Sequence, residues 1–231
     1  MPDTTFEEKS HRRRSLRENP TRRREIAQMI ANAINATVTN EYISGMQEPV
    51  ITTSIRNKLE EMSQRGDLNV EGYSLAVFGC ETVAMGKLSQ ERTTGIDLYF
   101  GVEIFDDGYI SKGLLIQAKK ANALGGSRLI AQCERMTRLN REAYVWVYEP
   151  DGVRIVSASS ILGRRDTSVT KLKREDMVDH IDAILECSKG SPSLALPSGP
   201  NKRAALSAMM NQLHAEAALE LVIANGSTLV I

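Results

Sequence analysis

An alternating segment at residues 96–104 constrains the fold more than any other part of this sequence. Apolar residues alternate there with less apolar ones, in the order Ile96, Asp97, Leu98, Tyr99, Phe100, Gly101, Val102, Glu103 and Ile104. A period of two predicts a β-strand with one buried face. The turn residues Asp106-Asp107-Gly108 follow at once, so residues 109–119 are predicted to form the return strand of a hairpin.

The loop of this hairpin predicts which residues pair. A three-residue loop that ends in glycine fits a type I turn closed by a left-handed residue. With that loop Phe105 pairs with Tyr109 and, counting back, Asp97 pairs with Gln117. Lys119 is then a diagonal neighbour, so Asp97, Gln117 and Lys119 converge on the less apolar face. The convergence depends on this register, because a slip of one residue would turn every side chain to the opposite face.

The converging side chains suit hydrolysis of a phosphodiester. Magnesium prefers oxygen ligands and keeps several waters, and Asp97 and Gln117 would supply a carboxylate and an amide oxygen. The main-chain carbonyl of Ala118 is a further candidate ligand. Lys119 could orient the attacking water and offset the charge that grows on the phosphate. The pattern therefore predicts a site for Mg²⁺, or for Mn²⁺, with Asp97, Gln117 and Lys119 as catalytic residues.

The spacing of these motifs resembles that of a known superfamily. Gly95-Ile96-Asp97, followed some twenty residues later by Leu115-Ile116-Gln117-Ala118-Lys119, is similar to the core of the PD-(D/E)xK nucleases. The Gln-Ala-Lys form resembles the Mrr-like branch of restriction endonucleases, and the resemblance spans residues 51–156, about half of the chain. It implies an endonuclease that cuts DNA with magnesium or manganese. By family analogy alone it also implies a role in bacterial restriction or anti-phage defence.

The sequence departs from the family pattern at the acidic positions. The usual second acid of the motif is replaced by Gln117. Many members of the family also use a glutamate from the preceding helix, and the candidates for that role are Glu60, Glu61, Glu71, Glu81 and Glu91. We favour Glu91, since its loop leads directly towards Asp97. Gln132, on the helix expected after Lys119, is a further candidate to face the site.

The rest of the chain predicts a mixed α/β sheet flanked by helices, as in restriction endonucleases, with extra helices at both ends. Helical signals mark residues 20–40, 51–65, 126–140, 175–187 and 203–221, while apolar runs at 73–78, 143–148 and 153–156 predict further strands. These features divide the sequence into a basic, disordered arm (1–24), a nuclease-like domain (25–188), and a linker with a C-terminal helix (189–231).

The charge distribution and the cysteines limit which kinds of ligand and partner this chain can have. The formal net charge is zero, yet residues 12–24 are rich in arginine. This segment is either a solvated tail or an arm that binds phosphates. The three cysteines are far apart, which disfavours a zinc site or a disulfide framework. The first residues lack the apolar core of a signal peptide and no apolar run could span a bilayer, so we expect a cytoplasmic protein with DNA and no membrane as partner.

Two other functions remain open at this stage. The loss of the second acid is compatible with a catalytically weak or inactive nucleic-acid-binding module that keeps the nuclease fold, whereas retention of Asp97 and Lys119 favours an enzyme. A scaffold that uses its terminal helices for assembly is the second alternative. A homo-oligomer or a partner protein of a defence system would fit any of these functions, and RNA remains open as a substrate.

Overall fold

A computed structural model describes residues 15–81, 94–124, 126–163, 171–197, 199 and 201–226. Its helices are α1 (Pro20–Ile43), α2 (Glu48–Arg65), α3 (Ser127–Leu139), α4 (Ala158–Gly163), α5 (Met177–Leu185) and α6 (Lys202–Leu213). Its strands are β1 (Asn69–Val70), β2 (Tyr73–Glu81), β3 (Leu98–Asp106), β4 (Gly108–Lys120), β5 (Ala143–Glu149), β6 (Gly152–Ser157), β7 (Glu175–Asp176) and β8 (Ala217–Asn225).

All eight of these strands belong to one mixed sheet. Their order across the sheet is β1-β2-β8-β3-β4-β5-β6-β7, with β8 parallel to β3 and β4 parallel to β5. The side chains of α1, α2 and α5 pack in one apolar cluster on one face, and those of α3, α4 and α6 pack in a second cluster on the other. The predicted mixed α/β sheet with flanking helices is confirmed. No helix in the described ranges is long and apolar enough to cross a membrane.

The hairpin of β3 and β4 has the register that its loop predicts. Phe105 pairs with Tyr109 and Leu98 pairs with Ile116. Asp97 directly precedes β3, and its backbone N–H donates to the carbonyl of Ile116 at 2.9 Å. The turn chemistry was therefore sufficient to place Asp97 beside the end of β4.

The expectation of a single buried face on β3 was wrong. Leu98, Phe100 and Val102 pack against the cluster of α1 and α2, as expected, but Tyr99 and Glu103 on the opposite face are also completely buried. The reason is the central position of β3, which has a strand on each side and helices over both faces. Alternation in sequence reports a difference in polarity between two faces, and it does not require the more polar face to meet water.

The predicted final helix, residues 203–221, was wrong beyond Leu213. Helix α6 ends there, His214 adopts a left-handed conformation with φ of 51°, and the chain continues as β8 between β2 and β3. Residues 217–225, which we expected within the linker and C-terminal helix of residues 189–231, consequently belong to the same sheet as the strands of the predicted nuclease-like domain, residues 25–188. A central strand is apolar on both faces, so its sequence lacks the alternation that distinguishes a strand from a helix.

The predicted basic arm, residues 1–24, is folded over the part that the structure describes. Leu16 is completely buried, and Arg23 is only 6% exposed. The guanidinium of Arg23 contacts the carboxylates of Asp182 and Glu186, both 3.2 Å away, and Arg24 pairs with Asp179. These arginines form ion pairs with acidic residues on and just after α5. The excess of arginines in residues 12–24 gave no sign of these partners, which lie far away in sequence. Residues 1–14 lie outside the described part of the chain.

Candidate functional site

A glycine positions Asp97 at the entrance to β3. Gly95 has a φ of +79°, and a Cβ at this position would lie 2.9 Å from the Cβ of Gln132 on α3. Only glycine adopts this backbone conformation readily and also leaves room for the helix. The chain can therefore pass close to α3 and enter the sheet with Asp97 held at its end, where it is 8% exposed. Gln132 itself is buried against this turn.

The carboxylate of Asp97 is bound to the neighbouring strand. Its Oδ2 accepts a hydrogen bond from the backbone N–H of Ala118 at 2.7 Å and another from the side-chain amide of Gln117. The same amide nitrogen lies 3.2 Å from the carbonyl oxygen of Ala118. These contacts fix the position of Oδ2 and bring together the predicted metal ligands Asp97, Gln117 and Ala118.

The amide oxygen of Gln117 has unused bonding capacity. Because both contacts of its Nε2 are with acceptors, the amide orientation is determined and Oε1 points elsewhere. Gln117 is completely buried, and Oε1 has no hydrogen-bond partner among the described residues. Leaving a buried acceptor unsatisfied costs about 1–3 kcal/mol. A hard cation or a water placed here would satisfy this oxygen.

Lys119 completes the cluster together with a residue that the sequence did not indicate. It lies two residues after Gln117 on β4, hence on the same face, and is 9% exposed. Its Nζ lies 3.6 Å from Oε2 of Glu48, the first residue of α2. The other oxygen of Glu48 accepts the backbone N–H of Lys120 at 2.7 Å. The start of α2 is thereby attached to the end of β4, with a second carboxylate beside the predicted catalytic lysine.

The glutamates that we considered from sequence are engaged elsewhere or lie outside the described residues. Glu60 binds the backbone of Gly79 and Arg203, Glu61 pairs with Lys58 and Arg65, Glu71 pairs with Arg22, and Glu81 pairs with Arg56. Glu91 is among the residues that the structure does not describe. A signal for Glu48 was present, since Glu48-Pro49 is a typical helix start, but the predicted helix began only at Ile51.

Buried neutral groups form the walls of the site. The Tyr148 hydroxyl is 2.8 Å from the hydroxyl of Thr52, and its pKa is raised well above the ordinary value, chiefly by burial, with the charges of Asp97 and Glu48 adding to the effect. Burial likewise raises the pKa of Cys133 on α3 to about 12, against a smaller opposite effect of Lys119. The raised pKa values keep both the Tyr148 hydroxyl and the Cys133 thiol protonated near neutral pH.

The donor set fits a hard cation that retains water ligands. Asp97 and Glu48 offer carboxylates, Gln117 an amide oxygen and Ala118 a carbonyl, all of them oxygen donors of the kind that magnesium and calcium prefer. No group of three or more His, Cys, Asp or Glu side chains that could hold a metal ion occurs in the described ranges, and this set contains only two such residues. A zinc site of nitrogen and sulfur ligands does not fit these residues.

Comparison with known proteins gives no independent identification. The chain matches no protein-family model, no curated protein and no solved structure.

Proposed function

We propose that this chain is a metal-dependent endonuclease that hydrolyses phosphodiester bonds of DNA with Mg²⁺ or Mn²⁺. The observation that carries the proposal is the cluster in which Asp97 is hydrogen-bonded to Gln117, Lys119 lies on the same face, and Glu48 reaches Lys119 from α2. The resemblance of the Gly-Ile-Asp and Gln-Ala-Lys motifs to PD-(D/E)xK nucleases, most closely to their Mrr-like branch, agrees with this chemistry. The proposed setting in bacterial restriction or anti-phage defence rests on that resemblance alone.

Each residue of the cluster has a distinct role in the proposal. Asp97 and Glu48 would hold the cation, and Gln117 would join them through Oε1 once its amide turned over, since its nitrogen faces Asp97 in this structure. The bound cation would supply an acidified water and positive charge for the phosphate. Lys119 would orient the attacking water and stabilise the negative charge that develops on the phosphate oxygens. Without a cation, the ammonium of Lys119 is balanced by Glu48, 3.6 Å away. Glu48 thus has direct geometric support as the additional acid, while Glu91 stays a prediction.

A specific observation favours a second candidate function, a nucleic-acid-binding module with little or no catalysis. Polar groups of the site already contact one another, because Gln117 donates to Asp97 and Lys119 pairs with Glu48. A cluster that is satisfied in this way could be a structural remnant of a nuclease site. DNA as the ligand is common to both proposals, so measuring DNA binding does not separate them, and cleavage has to be measured.

The separating experiment incubates supercoiled plasmid with the purified protein and Mg²⁺ or Mn²⁺, with and without excess chelator. We expect nicked or linear products that disappear in chelator and that the Asp97→Ala protein does not form. The matched control is Lys58→Ala, which removes an exposed lysine from α2 outside the cluster and should cleave normally. Cleavage that continues unchanged in chelator would exclude the metal mechanism, and intact plasmid under every condition would favour the binding module.

A further inference from the structure

The junction between α1 and α2 exposes an unusual group of apolar side chains. Ile43 is 75% exposed, Met46 40% and Val50 45%, and all three lie within residues 42–50, which we call the α1–α2 corner. Single exposed apolar residues are common on protein surfaces, whereas a contiguous group marks a site of interaction. Gly45, at the turn of the corner, has a φ of +76°, and a Cβ there would have no atom within 4 Å. The corner therefore protrudes into open space.

The α1–α2 corner is directly connected to the candidate site. Glu48 belongs to the corner, and its carboxylate contacts the ammonium of Lys119 and the backbone of Lys120. The Nζ of Lys120 lies 5.0 Å from the centre of the Tyr42 ring, at the start of the corner. A polyanion whose phosphate reached Lys119 would therefore extend across the corner, with Lys120 available to a neighbouring phosphate.

We propose that the α1–α2 corner is a wedge that enters a groove of duplex DNA beside the scissile phosphate; the inference rests on the proposed function. Ile43, Met46 and Val50 would press against a base step, while Lys120 holds the backbone of the same duplex. Apolar wedges of this composition partly unstack a base step and bend the duplex, and the additional contact area offsets the loss of stacking. The wedge would confer a preference for base steps that deform easily, which requires no base-specific hydrogen bonds.

Duplex DNA fits the α1–α2 corner better than a second copy of the chain. A specific protein–protein interface buries roughly 800 Å² on each partner, and three side chains around one turn offer only a small part of this area. The corner is also continuous with a cluster suited to a phosphate, and a lysine accompanies the apolar residues. Dimerisation through the corner is therefore an outcome for the experiment to detect rather than the inference.

The test compares variants in a Lys119→Ala background, so that cleavage does not interfere. Ile43→Ser/Met46→Ser/Val50→Ser removes the wedge, and Phe105→Ser/Leu139→Ser removes residues of 39% and 50% exposure outside the corner. Binding to a fluorescent duplex and the fluorescence of 2-aminopurine, which rises on unstacking, are measured for each. We expect the wedge variant to bind the duplex about tenfold more weakly than the Lys119→Ala parent, a loss of about 1.4 kcal/mol. It should cause no rise in 2-aminopurine fluorescence, and its melting temperature should equal that of the parent. The control variant should behave like the parent.

Each contrary result has a distinct meaning. If the wedge variant binds the duplex and unstacks it like the parent, the wedge is excluded, while cleavage of plasmid by the wild-type protein would still sustain the proposed function. If light scattering shows that the same substitutions dissociate a dimer and DNA binding is unaffected, the corner is an interface between copies and the wedge is again excluded. If neither the parent nor the wild-type protein binds or cleaves DNA, the wedge and the proposed function both fail.

Discussion

Two clusters of ionisable side chains lie on the same face of β3, one at each end, and their carboxylates differ in exposure and in hydrogen bonding. The entrance cluster consists of Asp97, Gln117, Lys119 and Glu48, and the far cluster consists of Glu103, Glu220, Lys202 and Tyr109. Asp97 and Glu103 are six residues apart, about 20 Å along a strand. Both are acids at positions of the same parity, and the sequence pattern does not distinguish them.

Both carboxylates of the far cluster lie in the interior of the protein. Glu103 is completely buried and accepts hydrogen bonds from the Tyr109 hydroxyl, at 2.8 Å, and from Lys202. Glu220 on β8 is also completely buried, and no donor among the described residues reaches either of its oxygens. Burial, and then the neighbouring charge of Glu103, raise the pKa of Glu220 to about 8. This glutamate is therefore largely protonated at neutral pH.

The comparison teaches that burial of an acid is not in itself a sign of catalysis. In the entrance cluster Asp97 has two strand-supplied donors, and both Asp97 and Lys119 keep 8–9% of their surface exposed at the end of the sheet. In the far cluster both carboxylates are completely buried, and the pKa of Glu220 is raised to about 8 by burial and by the charge of Glu103. The partial exposure of the Asp97 carboxylate at the strand end distinguishes the candidate site from the far cluster.

Removing the lysine from each cluster should produce the sharpest difference between them. Lys119→Ala should reduce plasmid cleavage by about two orders of magnitude or more, because its charge acts mainly in the transition state, with little change in DNA affinity or melting temperature. Lys202→Ala should instead destabilise the fold by about 3–5 kcal/mol, since it leaves Glu103 buried without its cation. Cleavage rates and chemical denaturation measure the two effects. Wild-type cleavage by a folded Lys119→Ala protein would remove this lysine from the mechanism.

Substituting Gln117 tests whether the entrance cluster holds a cation through an amide oxygen. If Oε1 is a ligand, Gln117→Glu should cleave at lower Mg²⁺ or keep substantial activity, because hard cations bind anionic oxygen more strongly. Gln117→Leu should lose about a hundredfold or more in rate, of the order seen when one electrostatic contact is removed from an active site. A magnesium titration of the three proteins separates these results. An equal loss in both variants would show that Gln117 matters as a donor to Asp97, the contact present here.

The far cluster predicts a specific dependence of stability on pH. The pKa of Glu220 is raised from 4.5 to about 8 in the folded protein, so below pH 4.5 the residue is protonated in both states and has no effect. As the pH rises from 4.5 to about 8, only the unfolded state loses the proton, and the free energy of unfolding falls by a few kcal/mol.

Glu220→Gln should abolish this decline, because an amide of the same shape does not titrate. The variant is expected to be more stable than the wild type at pH 8 and nearly equal to it at pH 4.5, as urea denaturation at several pH values would measure. Glu48→Gln at the entrance cluster is the control and should keep the wild-type decline. Parallel pH profiles for wild type and Glu220→Gln would assign the proton to another group.

The smallest expected effect concerns the additional acid. Glu48→Gln should raise the Mg²⁺ concentration needed for half-maximal cleavage about tenfold, a change of about 1.4 kcal/mol in cation binding, because one anionic oxygen near the cation is lost. Glu91→Gln, which substitutes the acid that the sequence favoured, should leave the requirement unchanged if Glu48 fills the role. A tenfold increase in Glu91→Gln and none in Glu48→Gln would reverse the assignment.

Features set by interactions between residues close in sequence could be predicted, and features set by distant residues could not. The pairing of Phe105 with Tyr109, and hence the meeting of Asp97 with Gln117, followed from a turn three residues long. Glu48 was missed because its proximity to Lys119 depends on how α2 packs against the sheet, and no feature of residues near Glu48 encodes this distance. The burial of Glu103 was missed for the same reason, since it is covered by distant parts of the chain such as Lys202.

The position of β8 has a consequence for how the protein is made. Leu98 pairs with Ala217 on one side, although its partner on the other side, Ile116, follows within the same hairpin. In the sheet, β8 lies between β2 and β3. Both strands are synthesised long before β8, so each has an unpaired edge until residues 217–225 leave the ribosome. Contacts of such long range close slowly, and waiting strand edges are prone to pair with other chains. A chain assembled in this order could not complete the sheet around Asp97 before almost all of the described residues had been translated.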